Sequence, residues 1–250
     1  TALVIQHAED NELSKDGQVN DGIIATKLGL QGIPDYAEKI IIERDLTLLE
    51  DFNCRYHIAQ ISSEKSVEII KNRKEIVKFT TGVSINNLSL NQNDIGDFRT
   101  FLKLSPPLRT EEDRLSLIKG INHNLIDVIV SDHKPEDEES KRLTFSQAAT
   151  GASGIETLLP LALELFHNGS IKLNKIIQCL TSNPAKILKI NKGSLSVGSD
   201  ADFCIVDIYK PWVVKKEKMI SKSKNTCIED KKLQGKVLNT FINGVELFKC

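Results

Sequence analysis

Apolar and polar positions along the chain switch between two periods. Ala2 to Gln6 is a short apolar run, the pattern of a buried strand. Asp35 to Asp51 carries Ile41, Ile42, Leu46 and Leu49 at helical spacing, and Arg55 to Ile61 returns to strand-like patterning. Ser63 to Lys74 predicts a helix capped by Ser62 or Ser63. Val77 to Ser84 predicts the next strand, Glu111 to Gly120 a helix after a Pro-Pro turn, and Leu125 to Val130 a β-branched strand. Helices follow at Ile155 to His167 and Leu173 to Leu180, and a third starts at Asn183-Pro184.

Strand-then-helix alternation argues for a parallel sheet with crossover helices. A closed eightfold barrel needs about 250 residues by itself, and only about four strand–helix units fit before residue 190. The expectation is therefore an α/β chain forming part of a (β/α) barrel. Its open sheet edges would be an aggregation liability unless covered, so a homo-oligomer or another covering partner is expected. After Gly193 the texture changes. Gly193 to Gly198, Asp202 to Asp207, Val237 to Ile242 and Val245 to Phe248 read as short strands, with Asn243-Gly244 as a hairpin turn. These patterns divide the chain into residues 1–192, the barrel part, and 193–250, a small β-rich appendage. The lysine-rich, mixed-charge run Lys215 to Lys232 reads as a solvated loop.

Composition narrows the function. Lys plus Arg is 33 and Asp plus Glu 34, a formal charge of −1, which offers neither nucleic acid nor an anionic membrane a basic surface. The five cysteines, Cys54, Cys179, Cys204, Cys227 and Cys250, have no CxxC spacing and fit a reducing, cytoplasmic compartment. No apolar run approaches the roughly 18 residues of a membrane span, and the N-terminus lacks a signal-peptide pattern. The chain opens with Thr1 directly before a strand-like run, the expectation for a fragment or a processed product.

In a parallel barrel the C-terminal strand ends converge on one mouth. The polar residues there are His7, followed by Glu9 and Asp10; Gln60; Asn86 and Asn87; and Asp132 with His133. His7 and Asp132 are residue types that bind zinc or shuttle protons.

Eight segments occur in the order and spacing of the dihydroorotase family: His7-Ala-Glu-Asp10, Gly29-Leu-Gln-Gly-Ile-Pro34, Ser105-Pro-Pro-Leu-Arg109, Ile126-Asp-Val-Ile-Val-Ser-Asp-His133, Gly154-Ile-Glu-Thr157, Thr181-Ser-Asn-Pro-Ala185, Gly198-Ser-Asp-Ala-Asp202 and Ser221-Lys-Ser-Lys-Asn-Thr226. On these motifs the chain resembles the C-terminal part of a dihydroorotase, a cyclic amidohydrolase of pyrimidine biosynthesis. The resemblance implies a TIM-like barrel of the metal-dependent hydrolase type, with a small β-sandwich made from both chain ends. It also implies one or two zinc ions that activate water and an Asp that takes and returns the proton.

Position by position, the resemblance makes His7 a metal ligand and Asp132 both a ligand and the catalytic carboxylate. Other positions depart from the pattern. The family's His-x-x-His stretch reads His57-Ile-Ala-Gln60, with glutamine at the ligand position, and His57 faces the other side of a strand. Its Pro-His-His stretch reads Ile85-Asn86-Asn87. Ser105 and Glu136 stand at the substrate-binding positions, and a carboxylate at 136 would repel an anionic substrate such as dihydroorotate. Two ligands are too few for tight zinc binding. The expectation is a silent or impaired homologue, resembling the non-catalytic chains that pair with aspartate transcarbamoylase; the competing expectation is an active zinc amidohydrolase on dihydroorotate or another, less anionic cyclic amide when the N-terminal His-x-His and acidic ligands that the resemblance implies are present.

Overall fold

The computed structural model describes residues 2–250. Two larger sheets organise them, beside a third of only two short strands. The first is parallel, in the order β1 (Leu3–Gln6), β4 (Arg55–Ile61), β5 (Thr80–Ser84), β6 (Val128–Val130). Between β1 and β4 lie the short parallel pair β2 (Val19–Asn20) and β3 (Gly32–Ile33), α1 (Ile23–Leu28) and α2 (Tyr36–Asp51). Helix α3 (Glu64–Arg73) links β4 to β5; α4 (Ile85–Ser89) and α5 (Glu111–Asn122) lead from β5 to β6. Then come α6 (Glu138–Arg142), α7 (Leu158–His167), α8 (Leu173–Leu180) and α9 (Ser182–Leu188). The second sheet is antiparallel: β7 (Phe203–Val213), β8 (Lys232–Ile242) and β9 (Val245–Lys249).

Local chemistry explains the boundaries. Ser63 caps α3 by accepting from the Ser66 amide at 3.2 Å, and Thr110 and Asp113 form a reciprocal capping box on α5. Residues Ile58 and Ile61 of β4, Val83 of β5, Ile42 and Leu46 of α2, Ile70 of α3 and Leu117 and Ile121 of α5 are completely buried. Each such side chain stabilises the fold by roughly 1.5–3 kcal/mol. The sheet ends at β1 on one side, where Val4 and Ile5 are exposed.

The antiparallel sheet joins this core through α7. The His167 ring lies 2.9 Å from the Ile208 carbonyl, and Lys231 pairs with Glu164 at 2.7 Å.

Two expectations are corrected. Gly193 to Gly198 forms turns rather than a strand. Both glycines have positive φ, and Ser194 Oγ accepts from the Ser196 amide, a local bond that competes with strand pairing. The run Lys215 to Lys232 is not simply a solvated loop. Its lysines pair with Asp230 and Glu229 on the outside, whereas Asn225, Thr226, Cys227 and Ile228 are buried. Charge alternation in the sequence hides those inward residues. No helix among the described residues is long and apolar enough to cross a membrane.

Candidate active site

The C-terminal ends of the parallel strands bring Gln60, Ser84 and Asp132 together. Gln60 Nε2 donates to Asp132 Oδ1 at 3.0 Å, and Ser84 Oγ donates to Oδ2 at 3.3 Å. Both carboxylate oxygens therefore hold a neutral donor. The contact arises because Gln60 lies near the C-terminal end of β4 while Asp132 follows β6, two strands away in the sheet. Asp132 has φ 49°, a left-handed conformation that costs a non-glycine residue on the order of 1 kcal/mol. His133 does not join this group: its Nδ1 accepts from the Gly154 and Ile155 amides at 3.2 and 3.4 Å.

A second cluster forms around His7. Its Nε2 lies 3.2 Å from Ser105 Oγ and 3.4 Å from Glu9 Oε2, and Ser105 Oγ reaches Glu9 Oε2 at 3.4 Å. The hydrogen bond to Glu9 raises the His7 pKa above the ordinary imidazole value, against the opposing effect of burial. The same bond holds the Glu9 carboxyl below the ordinary range. Asp10 is committed elsewhere, accepting from the Glu12 and Leu13 amides at 3.0 Å each.

Glu136 stands apart from both clusters. It lines a cavity of about 760 Å³ with Lys141, Lys222 and Lys224, and its amide is held by Asn225 Oδ1 at 3.4 Å. His57 is buried, with Nδ1 2.8 Å from Thr80 Oγ1, and burial lowers its pKa. Asn86 and Asn87 are buried behind β5; Asn87 Nδ2 donates to the Pro107 carbonyl at 2.9 Å.

Sequence reasoning missed a charged network directly beneath the mouth. Glu38 of α2 and Arg109 are both buried, at 2% and 3% exposure. They meet through Ser62, whose hydroxyl donates to Glu38 and accepts from Arg109 Nε at 3.1 Å. Glu38 also accepts from the Ser62 amide at 3.0 Å and from Ser66 Oγ, while Arg109 Nη1 donates to Asn20 Oδ1 at 2.8 Å and to the Ile33 carbonyl at 2.6 Å. Arg109 lies in the Ser105-Pro-Pro-Leu-Arg109 segment that carries the resemblance; Glu38 gives no signal, being one acidic residue in a helix.

Zinc is the metal that the resemblance implies, and these residues do not fit it unaided. Among the described residues no group of three or more His, Cys, Asp or Glu side chains is placed to hold an ion, whereas catalytic zinc takes three protein ligands and water. His7 is turned to Glu9 and Ser105, and Gln60 Nε2 donates to the carboxylate that would serve as ligand.

The Amidohydrolase family model matches residues 2–247. A dihydroorotase of Ehrlichia canis (strain Jake) is 43% identical over 244 residues, covering 97% of this chain and 55% of that protein. A dihydroorotase of Anaplasma phagocytophilum (strain HZ) is 40% identical, covering 99% of this chain and 56% of its own length. The chain thus spans little more than half the length of these curated relatives. Among solved structures, the L-hydantoinase (dihydropyrimidinase) from Arthrobacter aurescens superposes with a TM-score of 0.86 at 26% identity, over 99% of this chain and 57% of that one.

Proposed function

Since this chain belongs to the amidohydrolase family, we propose that it is the C-terminal part of a dihydroorotase-type protein whose metal centre has been replaced by hydrogen bonds, leaving it catalytically silent towards cyclic amides. The observation that carries this reading is the Gln60–Asp132 contact at 3.0 Å. A ligand histidine at position 60 would present a lone pair to a metal; glutamine presents an N–H to the carboxylate. The substitution therefore satisfies the half-buried Asp132 as an acceptor, with neutral donors on both oxygens where a cation would otherwise sit.

The roles follow from the same reading. Asp132 stands at the catalytic and metal position and His7 at a metal position; Gln60 is the degenerate ligand position. Ser105 and Glu136 stand at the substrate positions. Ser105 is engaged with His7 and Glu9, while Glu136 holds the other substrate position by the resemblance alone, since it lines a separate cavity with Lys141, Lys222 and Lys224. The parallel sheet is read as part of a TIM-like barrel and residues 193–250 as the β-rich portion, a division at 192/193 supported by two sheets that share no strand. The resemblance makes aspartate transcarbamoylase the partner to test for a silent chain.

The experiment is zinc analysis of the whole protein after dialysis, with a dihydroorotate assay at saturating zinc, on wild type and Gln60→His. The expected result is no retained zinc and no turnover in wild type, with zinc affinity raised in Gln60→His. Stoichiometric zinc together with turnover that Asp132→Asn abolishes would overturn the proposal and establish the active reading instead.

A further inference from the structure

The antiparallel sheet reaches the mouth of the parallel sheet through the segment joining β7 to β8. Residues 214–231 leave and return at a neck where the Val214 amide donates to the Lys231 carbonyl at 3.0 Å and the Asp230 amide to the Val214 carbonyl at 2.8 Å. Between these points the segment runs as a strap docked at two places. At its entry, the Glu156 carboxylate accepts from the Ile220 and Ser221 amides at 3.0 and 2.9 Å. At its centre lies Asn225, 4% exposed.

Asn225 uses its amide group and its backbone carbonyl on separate segments. Nδ2 donates to the Gly151 carbonyl at 3.1 Å, Oδ1 accepts from the Glu136 amide at 3.4 Å, and its own carbonyl accepts from the Ser153 amide at 3.0 Å. Those two segments in turn meet on either side of Asp132 in sequence. The Lys134 amide donates to the Ala152 carbonyl at 2.9 Å, and His133 forms a parallel bridge with Ala152. The approach is too close for any side chain at two points. A Cβ on Gly154 would lie 2.3 Å from the Ser131 carbonyl oxygen, and one on Gly151, at φ 138°, would lie 2.6 Å from that of Lys134. Residues 131–136 are thus pressed against 151–154, and Asn225 ties the two together. The strain is stored at Asp132, whose left-handed backbone persists only while its surroundings over-determine it.

We propose that Asn225 is a positioning residue for Asp132: the strap of the small sheet, acting through residues 151–153 and the Glu136 amide, sets where the Asp132 carboxylate meets Gln60 and Ser84. This goes beyond the silent-site reading and is independent of it, because the carboxylate must be positioned whether its partner is an amide or a metal. The small sheet is then part of the machinery of the mouth rather than an appendage.

The test reads the Gln60 side-chain amide by ¹H–¹⁵N NMR, its signals assigned by their loss in Gln60→Ala. In Asn225→Ala the Gln60 signals are expected to move towards the positions of a free carboxamide, while backbone amide exchange at 134–136 and 151–154 accelerates at least roughly tenfold, the mark of local opening. Glu156→Gln, which keeps side-chain size and weakens only the strap's entry point, is expected to shift the same signals in the same direction by less. A merely structural Asn225 would lower the unfolding midpoint and leave the Gln60 amide in place. A folded Asn225→Ala with wild-type Gln60 signals overturns the proposal. If that variant does not fold, unmoved Gln60 signals in Glu156→Gln overturn it instead.

Discussion

Two polar groups at the C-terminal end of β4, Gln60 within the strand and Ser62 just past it, have opposite characters. Ser62 anchors the Glu38–Arg109 network, in which both charges are buried and several partners are satisfied on each side. Gln60 belongs to the mouth, half-buried, with a single bond to Asp132. The deeper network has no freedom: a buried charge deprived of its partners is costly, so each member depends on the rest. The mouth can exchange an imidazole for an amide and remain satisfied. The buried network thus constrains its members through one another, whereas the residue at position 60 can change without leaving a buried charge unpaired.

Breaking that contrast begins with the largest expected effect. Glu38→Ala leaves Arg109 buried and uncompensated, and equilibrium denaturation should show a loss of about 3–5 kcal/mol or failure to fold. Next, Ser62→Ala removes the hydroxyl bridging the two charges, at an expected cost of about 1–3 kcal/mol in the same measurement. Gln60→Ala should cost only about 0.5–1.5 kcal/mol. A loss there equal to that of Glu38→Ala would erase the distinction between the two groups.

A third buried charge sharpens the contrast through its pH dependence. Lys141, 2% exposed, forms no ion pair among the described residues; its Nζ donates to the Ala149 and Gly151 carbonyls at 2.7 and 3.0 Å. Burial pushes its pKa down to about 8. Above that value and below the ordinary lysine range the unfolded chain binds more protons than the folded one, so stability should rise with pH through this window. The wild-type stability minus that of Lys141→Met should increase from pH 7 to about pH 9.5; a flat difference would show that Lys141 is not desolvated. The smallest effect is at the surface. Arg142, exposed beside Glu138 and Glu139, should change stability by less than about 0.5 kcal/mol when replaced by alanine.

The sequence made some of this legible and concealed the rest for physical reasons. β4 and α8 have the expected bounds, and α2 lies within one residue of them, because apolar periodicity reports burial directly. α1, α4 and α6 were not expected; each has six residues or fewer, too short to display a period. Gln60 stood out as a departure from a pattern, yet its contact with Asp132 spans two strands and is set only by the sheet order. Asn225 lay in a recognised motif within a lysine-rich run, where charge masked four buried residues. Glu38 was invisible, since one acidic residue in a helix usually faces water.

The strap also dictates an order of assembly. β8 and β9 are joined by the tight Asn243-Gly244 turn, so their pairing closes a very short loop. β7 must find β8 across the whole of residues 214–231, a closure with a larger entropic cost. That cost is offset by the β7–β8 pairing and by Asn225 docking against 136 and 151–153, contacts distant in sequence that slow folding. The β8–β9 hairpin should therefore form early, and β7 should join the sheet in the same late event that draws the Asp132 loop into place.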